Sequence, residues 1–190
     1  MHGGAEANSS QSNHGLTRLG IDTVDPILCR GVLLDIAEYR STDVLDPGYE
    51  VTADDLEGAA AAAEVSVKPG DAVLIRTGWA KHWEDAELFR GQLGGAPGPG
   101  EGAAAWLVDR EVRVTGAETI AYEVIRQGEG HATLPVHRIL LVESGIHIIE
   151  VMNLTCLADT DVHEFLFVAA PLNIIGGTGS PIRPLAVVNA

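Results

Sequence analysis

Two short apolar runs constrain this chain most: Gly31-Val-Leu-Leu-Asp-Ile-Ala37 and Ala72-Val-Leu-Ile-Arg-Thr77. Each is too short for a helix of ordinary length and too continuously apolar for a strand wetted on one face, so each reads as a buried strand. Between them, Thr52 precedes Asp54, Asp55 and Glu57 at the head of an alanine-rich stretch ending at Ala63. A threonine N-cap followed by acids is a good helix start, because both satisfy the unpaired N–H groups and the positive end of the helix dipole. Leu56, Ala59, Ala60 and Ala63 then form one apolar stripe.

The rest of the chain continues the alternation. Residues 103–110 read as a helix carrying Trp106 and Leu107, and 136–143 as a short helix stopped by Gly145. Ile146, Ile148 and Val151 start a strand-like run, and 165–169 and 184–188 are later strands. Residues 111–115 and 119–124 are ambiguous between strand and loop. The stretch 91–102, with six Gly and two Pro, reads as a flexible surface loop. Residues 1–15, MHGGAEANSSQSNHG, lack any periodicity and read as a loop-like tail, leaving 16–190 as a single domain. Short strands interleaved with short helices make this an α/β chain with a mixed sheet.

Charge narrows the partners. Twelve Lys and Arg against 27 Asp and Glu leave a formal net charge of −15. That balance opposes binding to nucleic acid or to an anionic membrane surface, both of which need basic side chains. Two cysteines, Cys29 and Cys156, build neither a disulfide framework nor a zinc ribbon. No basic-then-apolar leader opens the sequence, and no apolar run is long enough to span a bilayer. The expectation is a soluble, acidic, cytoplasmic globular protein.

The candidate chemistry lies with the histidines. His137 starts the short helix at 136–143 and Glu150 ends the strand-like run after it, so adjacent elements can aim both at one point as metal ligands. A surface histidine and a solvated glutamate are the plainer alternative. Trp79 and Trp83, in the loop after the second buried strand, are candidates for a substrate pocket, with ordinary packing the alternative. The turn Gly176-Gly177-Thr178-Gly179-Ser180 is not a phosphate loop, since no Lys follows Ser180 and Pro181 leads to a strand rather than a helix. No G-x-S-x-G elbow supplies a serine nucleophile.

Several blocks, taken together, resemble the cyclase family of metal-dependent hydrolases, which includes bacterial kynurenine formamidase and isatin hydrolase. They are RGVLLDIA (30–37), GYEVTADDLE (48–57), GDAVLIRTGW (70–79), VHRILLVESGIHIIEVMNL (136–154) and EFLFVAAPLNIIGGTGSPIRPLAV (164–187). The resemblance implies a swivelling β/β/α fold, a homodimer or higher homo-oligomer, and a divalent metal, zinc or manganese. Its chemistry would be the opening of an amide, lactam or lactone by metal-activated water, in a setting such as tryptophan catabolism. His137 and Glu150 match the later His and Glu of that family's metal site, while the early His-x-Gly-Thr-His-x-Asp motif occurs nowhere in these 190 residues. The chain therefore reads as an N-terminally shortened member, with Met1 as an internal methionine of a longer enzyme one explanation. Shortening is expected to uncover apolar surface and favour association. A non-catalytic binding or assembly protein that keeps the fold without the metal site is the alternative.

Overall fold

The computed structural model describes residues 1–188. Its frame is a six-stranded sheet of β1 (Ile27–Asp35), β2 (Ala72–Arg76), β3 (Val114–Ala117), β4 (His147–Ile149), β5 (Glu164–Ala169) and β6 (Leu185–Val187). Their spatial order is β4-β3-β2-β1-β5-β6. The first four strands run parallel, and β5 is antiparallel to both β1 and β6.

The apolar runs are continuous because both sheet faces are covered, as parallel strands require. Val32, Leu34, Val73 and Ile75 pack on one face beneath three helical segments. These are α1 (Ala53–Ala62), α2 (Glu101–Asp109) and α3 (Pro135–His137), the last running on through a π-wound turn, Arg138–Ser144. On the opposite face Leu33, Leu74 and Val114 meet Phe165, Phe167, Met152 and Leu154. Thr52 caps α1 as expected: its hydroxyl accepts from Asp55 N–H, and the Asp55 carboxylate accepts from Thr52 N–H at 2.8 Å. Asp35, at the end of β1, is held at 2.8 and 2.9 Å by Arg76 at the end of β2 and also caps the short helix Ile36–Tyr39.

One expectation is corrected. Within 91–102, residues 95–100 are buried, not a surface loop. Gly95–Ala96 pairs with Ile125–Arg126, and Gly98–Pro99 pairs with Glu50–Val51. Gly98 explains the burial, since a Cβ there would strike the carbonyl oxygen of Tyr122 and the carbonyl carbon of Glu123. Glycine is present because two backbones touch, not because the segment is loose. Residues 1–16 hold a turn at His2–Gly4, one helical turn at Ala7–Ser10, and Gln11–Ser12 paired with Gly15–Leu16. Leu16 N–H and Ile21 N–H donate to the carbonyls of Gly176 and Gly177, tying this region to the glycine turn. Among the described residues no helix is long and apolar enough to cross a membrane.

Candidate functional site

The site assembles at the β4 edge of the sheet from three chain segments. The first is the turn after β3. Thr115 Oγ1 and the buried Tyr122 hydroxyl lie 2.8 Å apart, and Tyr122 adopts a left-handed backbone (φ 58°). Burial pushes its phenol above the usual tyrosine range. Such a conformation is uncommon for a large side chain and directs the next residue, Glu123, inward.

The second segment is α3. Its first N–H groups have no intrahelical acceptor. The Glu123 carboxylate, 2% exposed, supplies one, accepting from Val136 N–H on Oε2 and His137 N–H on Oε1, both at 3.0 Å. Pro135 opens the helix without wasting a donor. Gly145 ends the segment in the left-handed region (φ 70°), letting the chain turn into β4.

The third segment is the end of β4, where Glu150 is followed by Val151, a β-branched residue at φ 57°. Val151 N–H donates to Thr119 and Met152 N–H to Ala117, which lashes the β4 exit to the β3 exit.

These segments bring His137 between two carboxylates. Its Nδ1 lies 2.7 Å from Glu123 Oε1, and its Nε2 lies 3.3 Å from Glu150 Oε1. The imidazole is 23% exposed and Glu150 37%. Burial alone lowers the His137 pKa, but the hydrogen bonds to Glu123 and Glu150 and their charges outweigh it, raising the value to about 9. The pair faces a cleft of about 540 Å³ whose walls include Val24, Leu141, His147 and Ile182. Burial and the positive charge of Arg113 hold His147 below the ordinary histidine value.

His137 and Glu150 therefore converge as the sequence suggested, and Glu123 joins them unforeseen. Its signal was faint: one acid in the apolar string Ile120-Ala-Tyr-Glu-Val-Ile125, which demands a buried partner. The two tryptophans lie elsewhere, and neither is on the cleft walls. Trp79 is fully buried, donating its indole N–H to the Phe89 carbonyl at 3.0 Å, and Trp83 stacks edge-on against Phe89 at the surface. Both tryptophans are thus engaged with Phe89.

A histidine nitrogen beside a carboxylate oxygen is a suitable donor pair for zinc or manganese. Two donors bonded at about 2.0–2.1 Å to a tetrahedral ion stand roughly 3.3–3.4 Å apart, which the 3.3 Å between Nε2 and Oε1 meets. Among the described residues no group of three His, Cys, Asp or Glu side chains is arranged to hold a metal. The pair fits in type and spacing and falls short in number.

Comparison with known proteins places this geometry. The Cyclase family model matches residues 5–124, more than half of the chain. An isatin hydrolase from Roseibium aggregatum is 29% identical over 158 residues, covering 82% of this chain and 59% of its own length. A crystal structure of a novel cyclase superposes with a TM-score of 0.87 at 34% identity, covering 98% of this chain and 64% of that one. Isatin hydrolase A from Ralstonia solanacearum gives 0.73 at 28% identity, covering 90% and 64%. The chain thus spans about six-tenths of the length of these relatives, and it shares with them a mixed-sheet fold. By the family match and the superposition, this chain belongs to the cyclase family.

Proposed function

We propose that the protein serves as a metal-dependent hydrolase that opens an amide, lactam or lactone of a small molecule. The observation that carries this reading is His137 held between Glu123 and Glu150 on the wall of a cleft large enough for a compact aromatic or heterocyclic substrate. A divalent ion, zinc or manganese, would be held by His137 Nε2 and Glu150 together with further ligands, and when bound it acidifies water and polarises a carbonyl. Glu123 keeps the imidazole oriented, and Leu141, Val24 and Ile182 give the cleft apolar walls that limit water near the scissile bond. Relatives described as isatin hydrolases support the substrate class.

The test is hydrolysis of isatin and an arylformamide by the purified chain, with zinc or manganese supplied. Metal-dependent turnover that His137→Ala and Glu150→Gln each reduce at least a hundredfold is expected. Turnover indifferent to both substitutions would refute the assignment.

The small number of converging donors favours a second reading, a binding or assembly protein without catalysis. Tight stoichiometric zinc binding that His137→Ala abolishes counts against it. We also propose self-association, in the cytoplasm. Leu28 and Leu185 flank Val168 across one face of β1, β5 and β6, where Leu166 pairs with Val187, and Leu28, Leu166, Leu185 and Val187 are exposed.

A further inference from the structure

The buried carboxylate of Glu123 has more to do than satisfy a helix start. Its Oε1 accepts from the main-chain N–H of His137 and lies 2.7 Å from the ring Nδ1 of the same residue. Backbone and ring are thereby tied to a single oxygen, so the imidazole cannot turn without breaking one of the two contacts. The competing carboxylate, Glu150, is farther away at 3.3 Å and far more exposed. In a low-dielectric setting the shorter, drier partner wins the ring proton's hydrogen bond.

We infer that Glu123 is a positioning residue: it keeps the His137 proton on Nδ1 and so presents the Nε2 lone pair toward Glu150, the side on which a divalent cation would bind. This rests on the hydrolase reading for its purpose and on the geometry alone for its content. Carboxylate partners behind a ligating histidine set its tautomer and orientation in this way, and losing one weakens metal affinity by about 10–100-fold.

The backbone that carries this carboxylate is itself held by its neighbours. Val124 N–H donates to the Pro99 carbonyl at 3.2 Å, and Gly98 lies against the Tyr122 and Glu123 backbone. The buried glycine-rich segment is therefore the back wall of the histidine's support.

Long-range proton–nitrogen correlation on the metal-free full chain, labelled at histidine nitrogen, reads the tautomer directly. His137→Gln identifies the signals, and the pH is set high enough that the ring is neutral. The proton is expected on Nδ1 in the parent. In Glu123→Ala and the bulkier Glu123→Met it is expected to move to Nε2, facing the one carboxylate left, and zinc affinity to fall about 10–100-fold. A parent ring protonated on Nε2, or a folded variant that keeps the proton on Nδ1, overturns the inference. Should neither variant fold, the parent spectrum still decides. Absence of zinc binding or hydrolysis by the parent, with Nδ1 protonated, sinks the hydrolase reading and leaves the positioning role intact.

Discussion

Placing His137 between two carboxylates makes the stability of the metal-free protein depend on pH in a window where few other groups change. The imidazole titrates near 6.5 in the unfolded chain and at about 9 when folded. Between those values the native state holds a proton that the unfolded state has released, so stability is full below about pH 6.5 and is lost as pH rises through 9. One proton per molecule corresponds to about 1.4 kcal/mol per pH unit. Across the window the loss is about 3 kcal/mol, a large part of the 5–15 kcal/mol that holds an ordinary domain together. His147 is shifted the other way by burial and Arg113, so its contribution changes below 6.5. Burial raises the Cys29 thiol above 9.0, placing its effect above the window. Urea denaturation at fixed salt, with chelator present, from pH 6.5 to 9.5 measures the slope. His137→Gln should flatten it. A parent curve already flat between pH 7 and 9 would refute the claim that both carboxylates grip the ring.

Two further perturbations probe the frame around this site. Gly98→Ala sets a Cβ against the Tyr122 and Glu123 backbone, with no flexible side chain to yield, so a loss of about 1–3 kcal/mol is expected. Because the displaced residue is Glu123, the same variant should show a shallower pH slope; an unchanged slope and denaturation midpoint would mean that the contact is slack. Asp35→Asn leaves Arg76 charged in a site only 8% exposed, and about 3–5 kcal/mol is expected from urea denaturation. Pairing it with Arg76→Met should recover part of that loss, since the orphaned charge is gone.

The features legible in the sequence are those decided within a few residues. The apolar runs at 31–37 and 72–77, the Thr52 cap and the Gly145 stop each follow from local sterics and hydrogen bonding, and each is present in the fold. His137 and Glu150 could be paired because one short helix and one short strand separate them. Glu123 could not, because its partners lie 13 and 14 residues away across an irregular turn, and no periodicity spans that gap. Gly98 misled for a related reason. A glycine-rich string looks alike whether the glycines give freedom or permit close contact, and only the partner backbone distinguishes the two. That partner is the turn bearing Glu123, so the missed acid and the misread loop are one omission. Local patterns place the imidazole, while the contact that orients it is tertiary. It follows that a change at Gly98, far from His137 in sequence, should act on the ring through Glu123, which is why its pH slope tests the arrangement more sharply than its stability.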